Sequence, residues 1–111
     1  MMNFQTRNNK YGVAAKEDRT VDGIVFASKK EATRYGELKL LQDAGKIFNL
    51  ALQPKWKIVI NEVHVCSYIG DFRYLENGQL IIEDAKGVAT PVYRLKKKLM
   101  KAVHGILIKE V

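Results

Sequence analysis

The sequence holds a single cysteine, Cys66, so an intramolecular disulfide is impossible and a zinc cluster of Cys ligands is excluded. Its two histidines, His64 and His104, stand far apart without ligand spacing, and both read as structural or exposed residues. No apolar run approaches the ~20 residues of a membrane span. Residues 1–10 are polar and Asn-rich, without the hydrophobic segment of a secretory signal. No Gly-rich phosphate loop is present, so no nucleotide cofactor is expected. These absences predict a reduced, cytoplasmic protein with no membrane partner.

What the chain does have is positive charge. Nineteen Lys and Arg face twelve Asp and Glu, a formal net charge of +7. Clustered cations gain from phosphate neutralisation and counterion release, so a polyanion is the expected partner. A hydrophobic content of 47% is ordinary for a globular domain. The length of 111 residues suits one domain. The expected organisation is a flexible tail over 1–10 and a single domain over 11–111.

Thr20 to Phe26, with Asp22-Gly23 as a turn signal, reads as a short extended segment. Ser28 to Glu31 has the form of a capping box, followed by Ala32, Tyr35, Leu38 and Leu41 at helical spacing, with Gly45 placed to end the helix. Trp56 to Ile60 alternates as a strand and extends toward Val65. Ser67 to Leu75 and Gln79 to Ala85 flank Asn77-Gly78, the strongest short hairpin signal. Thr90-Pro91 then opens a second helix. Its stripe of Val92, Leu95, Leu99 and Val103 is predicted to face the core, opposite Arg94, Lys96, Lys97, Lys98 and Lys101. Gly105 closes it, and Ile106 to Val111 supplies a last strand. The order is helix, three strands, helix, strand, which implies a mixed sheet flanked by helices.

A two-residue loop at Asn77-Gly78 pairs Glu76 with Gln79, and the same register puts Asp71 opposite Asp84. Like charges directly opposite are destabilising unless something compensates them. A divalent cation such as Mg²⁺, which takes hard oxygen ligands, would do so. Lys86 lies two residues beyond Asp84 and so shares its face, with Ile69 as the expected neighbour. Two carboxylates and a lysine suit metal-assisted phosphodiester hydrolysis. By the same alternation Glu83 points to the opposite face, opposite Phe72. The bland alternative for Asp71, Asp84 and Lys86 is a solvated ion-pair cluster.

Asp71 followed by Asp84-Ala85-Lys86 resembles the signature of the PD-(D/E)XK nucleases. The element order resembles the restriction-endonuclease-like αβββαβ core of that superfamily. The segments Val21 to Phe26, Ser28 to Ala32, Leu52-Gln53-Pro54, Gly70 to Tyr74 and Glu83 to Gly87 are similar to a small group of phage-encoded, Holliday-junction-resolvase-like nucleases. Gly70 stands where the superfamily's name places proline. The resemblance implies catalytic Glu31, Asp71, Asp84 and Lys86, with Glu31, Asp71 and Asp84 binding Mg²⁺ and Mn²⁺ able to substitute. It implies a DNA endonuclease of phage recombination or replication in the host cytoplasm, acting on branched DNA as a homodimer. Gln53 is expected near the site, and Arg94, Lys96, Lys97 and Lys101 are the expected DNA contacts. The alternative is a catalytically inactive nucleic-acid-binding protein on the same fold. A structural role in phage assembly fits the positive charge less well.

Overall fold

A computed structural model describes residues 14–85 and 89–111. The expected tail over 1–10 and Lys86 lie outside the described residues.

Asp22 and Gly23, with φ of 54° and 76°, turn the chain between β1 (Thr20–Val21) and β2 (Ile24–Val25). Paired positive φ values are what a two-residue hairpin loop requires. Helix α1 (Lys29–Asp43) then starts where the sequence predicts, with the Ser28 hydroxyl accepting the Glu31 backbone N–H at 3.1 Å. It buries Glu31, Ala32, Tyr35 and Leu38. The chain leaves the helix through Gly45 at φ 75°.

Five strands rather than three separate the helices among the described residues. They are β3 (Phe48–Leu52), β4 (Lys55–Ile60), β5 (Val63–Ile69), β6 (Phe72–Glu76) and β7 (Gln79–Asp84). The continuation of β4 toward Val65 is replaced by a tight turn in which Asn61 and Glu62 take φ of 51° and 67°. Glutamate is an unusual occupant of that conformation, which hid the turn. The expected single strand Ser67 to Leu75 is also broken, at Gly70-Asp71, where the chain passes from one sheet to another. A Cβ on Gly70 would lie 3.0 Å from Ile82 Cγ2 and 3.4 Å from the Tyr68 ring, so close packing there calls for glycine. Ile69 pairs with Lys55 in the β4–β5 ribbon.

Strands β3, β6, β7 and β8 (Ile108–Glu110) form a four-stranded sheet in that order. The β6–β7 pair is antiparallel and β7–β8 parallel, so the sheet is mixed, as expected for this α/β chain. The hairpin at Asn77-Gly78 has φ of 54° and 78° and runs in the expected register, from Glu76↔Gln79 to Phe72↔Glu83. Strands β4 and β5 form a separate two-stranded ribbon.

Helix α2 (Pro91–His104) is capped by Thr90, whose hydroxyl accepts the Tyr93 N–H at 3.1 Å, and ends at Gly105 in the left-handed region, φ 68°. Its expected core stripe holds only at Leu99, which is partly buried against the core, whereas Val92, Leu95 and Val103 are 62%, 57% and 37% exposed. The helix buries Tyr93 and Met100 instead, about one residue step (roughly 100°) further round. The β4–β5 ribbon decides this rotation. Its Ile58 and Tyr68, together with Ile82 and Ile108 of the main sheet, meet the Tyr93–Met100 side. His104 Nε2 lies 2.8 Å from the Lys57 carbonyl oxygen, at the ribbon.

Two apolar clusters sandwich the sheet. Phe72 and Tyr74 pack with Ala32, Tyr35 and Leu38 of α1, whereas Ile82 and Ile108 pack with Tyr93 and Met100 of α2. Among the described residues no helix is long and apolar enough to cross a membrane. Removing either cap tests the helix starts. Ser28→Ala and Thr90→Ala are each expected to lower the unfolding free energy in urea by about 1 kcal/mol with an unchanged m-value.

Candidate functional site

The break between β5 and β6 fixes Asp71 by three hydrogen bonds. Its backbone N–H donates to the Glu83 carbonyl at 3.0 Å, and its carbonyl accepts the Gln53 N–H at 3.0 Å. Its carboxylate Oδ2 accepts the Ala85 N–H at 2.6 Å. Asp71 is thereby tied to the end of β3 and to the end of β7. Gln53 itself sits at φ 50°, a left-handed conformation costly for a non-glycine residue and common at functional sites.

A cavity of about 240 Å³ gathers Glu31 from α1, Gln53 from the β3–β4 connection and Asp71, walled by β2 and Leu52. Three of the residues singled out in the sequence therefore meet in one place, although they are far apart along the chain. Asp84 is set deeper, at 1% exposure. The Tyr68 hydroxyl donates to its Oδ2 at 2.6 Å. Asp84 is joined to Asp71 through the adjoining Ala85 N–H.

The direct Asp71–Asp84 pairing expected from the hairpin is not a rung of the ladder. Pairing ends at Phe72↔Glu83, and the Asp71 N–H turns to the Glu83 carbonyl. The two acids nonetheless share electrostatic surroundings. Burial, and then the bond to Asp84, push the Tyr68 hydroxyl well above its ordinary pKa, and the Asp71 charge adds to this. Tyr93 is raised by burial first, then by its bond to Glu110, and then by the charges of Asp84 and Asp71. Both phenols therefore stay protonated and act as donors near neutral pH.

Among the described residues no three His, Cys, Asp or Glu side chains group closely enough to hold a metal ion. The cavity's donors, the Glu31 and Asp71 carboxylates and the Gln53 amide, are all hard oxygen ligands. Mg²⁺ commonly takes one or two carboxylates and completes its shell with water and substrate phosphate, so this donor set fits it.

Sequence reasoning set Glu83 aside, yet it is a buried acid held by several partners at once. It is fully buried. Arg34 of α1 grips it through Nε at 2.8 Å and Nη2 at 2.7 Å. The Tyr74 hydroxyl donates to the same carboxylate, and Lys109 Nζ lies 4.0 Å away. A signal was available. Alternation placed Glu83 opposite Phe72, on an apolar face where a carboxylate requires a cationic partner. Nothing in the sequence pattern pointed to Arg34.

The basic face of α2 is divided. Arg94, Lys97 and Lys101 line a cavity of about 470 Å³ between α2 and β8, whereas Lys96 faces a groove beside Ser67 and Ile69. Lys97 Nζ pairs with Glu110 at 3.2 Å, and Arg94 donates to the Ala89 carbonyl at 2.7 Å.

No curated protein and no solved structure matches this chain. Residues 8–107 match the family described as "Protein of unknown function (DUF1064)", and the chain belongs to that family.

Proposed function

We propose that the protein is a metal-dependent DNA endonuclease built on a restriction-endonuclease-like core, with Glu31, Asp71, Asp84 and Lys86 as its catalytic residues. The observation that carries this reading is the convergence of Glu31, Gln53 and Asp71 on one cavity, with Asp71 hydrogen-bonded to the residue after Asp84. The sequence of elements also supports it, since two helices flank a mixed sheet whose last strand returns parallel to β7.

Glu31 and Asp71 would hold Mg²⁺, or Mn²⁺ in its place, with Asp84 behind them. Held by these residues, such a cation would supply Lewis acidity for activating a water and polarising a phosphoryl oxygen. The chain's own groups do the positioning. The Ala85 N–H holds Asp71 Oδ2, and the Tyr68 hydroxyl holds Asp84. The Gln53 N–H fixes the Asp71 backbone. Lys86 would position or deprotonate the attacking water, or stabilise charge on the phosphorus.

A homodimer acting on branched DNA completes the proposal, because paired symmetric cuts at a junction call for two sites related by a two-fold axis. The test is cleavage of a labelled four-way junction and a matched linear duplex with Mg²⁺, Mn²⁺ or EDTA. Metal-dependent, paired cuts confined to the junction are expected. Cutting of both substrates removes the junction specificity and leaves the nuclease. Salt-sensitive binding without cutting under any condition replaces the nuclease with a DNA-binding protein.

A further inference from the structure

Eight Lys and Arg side chains stand around one feature, the edge strand β8. This strand is last in the order β3-β6-β7-β8, so its outer side is a sheet edge. On the α1 side, a cavity of about 470 Å³ is lined by Lys29, Lys30 and Arg34 against one acidic side chain, Glu37, and reaches Val111, the residue that follows β8. On the α2 side, the second cavity is lined by Arg94, Lys97, Lys98 and Lys101 against a single carboxylate, Glu110. Both acids are already engaged inside the protein: Glu37 by Arg34 at 2.9 Å, and Glu110 by Lys97 at 3.2 Å and the Tyr93 hydroxyl at 2.8 Å. Lys109, half-exposed, stands on β8 itself between the two clefts.

We infer that the β8 edge is a saddle for double-stranded nucleic acid, with one phosphate backbone in the α1 cleft and the other in the α2 cleft. This rests on the nucleic-acid reading above and deepens it by naming the substrate class and its path. Two cationic clefts, one beside each of the helices that cover opposite faces of the sheet, match a ligand that carries two anionic rails. The groove between the rails of B-form DNA, about 12 Å wide on the major side, admits an element of β-strand or helix width. The saddle also adjoins the candidate catalytic acids. Glu110 pairs in register with Asp84, and the Val111 N–H donates to the Asp84 carbonyl at 3.2 Å. The path brings Lys29, Lys30, Lys98 and Lys109 into contact with phosphate, none of which the sequence pattern singled out as contacts.

The test is equilibrium binding of the full chain to a short duplex in EDTA, with affinity measured as a function of salt. It does not depend on cleavage, so failure of the catalytic reading leaves it intact. Each lost phosphate contact reduces the slope of log K against log salt by about 0.9. Lys29→Ala/Lys30→Ala and Lys98→Ala/Lys101→Ala are each expected to reduce it by roughly two contacts, and Lys46→Ala, on neither cleft, to leave it unchanged. An unchanged slope for either double variant, with circular dichroism showing a folded chain, overturns the two-sided saddle. Tighter binding of a single strand than of the duplex, with the same slope changes, overturns the assignment to a double-stranded ligand. Absence of salt-dependent binding overturns both the saddle and the nucleic-acid reading.

Discussion

Asp71→Asn is expected to reduce metal-dependent DNA cleavage by about 10³-fold while leaving the fold intact. A bound cation contributes several kcal/mol of transition-state stabilisation, and each ~1.4 kcal/mol is a factor of ten in rate. The substitution removes the ligand charge but keeps an amide oxygen able to accept the Ala85 N–H, now at 2.6 Å from Asp71 Oδ2. It is a cleaner probe than Asp84→Ala. Asp84 is 1% exposed and bonded to Tyr68, so truncating it removes structure together with charge. Single-turnover cleavage alongside urea unfolding separates the effects. Activity retained within threefold of the parent chain, at unchanged stability, would remove Asp71 from the catalytic set and with it the proposed site.

The largest expected effect on stability comes from Arg34→Met. Glu83 is fully buried, and the Arg34 guanidinium is its bidentate partner. Removing one member of a buried pair leaves an uncompensated charge, typically at a cost of 3–5 kcal/mol. A loss of about 3 kcal/mol is expected here, because Arg34 keeps some exposure and Lys109 remains 4.0 Å from the carboxylate. The double variant Arg34→Met/Glu83→Gln should recover most of the loss, since the amide is neutral and still accepts from Tyr74. Chemical denaturation of the four chains of the cycle measures this. Equal losses in the single and double variants would show that Arg34 stabilises through packing instead.

The same pair sets a pH dependence. Burial, the largest influence on Glu83, raises its pKa. The bonds from Arg34 and Tyr74 and the charges of Arg34 and Lys109 more than offset this, and hold it below the ordinary 4.5. Its ionised form is therefore favoured in the folded chain. The corresponding stability is fully present above the unfolded-state value and is lost as pH falls through the depressed one. Arg34→Met should flatten that acid limb of the stability profile.

Local chemistry was legible along the chain. Ser28 and Thr90 as caps, Gly105 as a helix stop, the Asp22-Gly23 turn and the Asn77-Gly78 hairpin with its register all follow from short-range preferences of single residues. That register placed Glu83 opposite Phe72, and the order of motifs pointed to Glu31, Gln53 and Asp71 before their meeting in one cavity was visible. The face of α2 that packs was not legible. Val92, Leu95 and Val103 carry the helical period of a core stripe, but only the location of the β4–β5 ribbon determines which side of the helix is covered. The turn at Asn61-Glu62 escaped notice because a glutamate holds a conformation that its residue type rarely adopts.

The sequence by itself determined the helix caps and stops, the Asp22-Gly23 and Asn77-Gly78 turns, the hairpin register and the excess of positive charge, because each of these depends on neighbours a few residues away or on composition alone. Only the tertiary structure decided that Asp71 stops short of a ladder pair with Asp84, that Glu83 finds Arg34, and that two sets of cations flank the β8 edge. Those outcomes join residues distant along the chain. Their energies come from burial and charge pairing, which exist only once the sheet and both helices have packed.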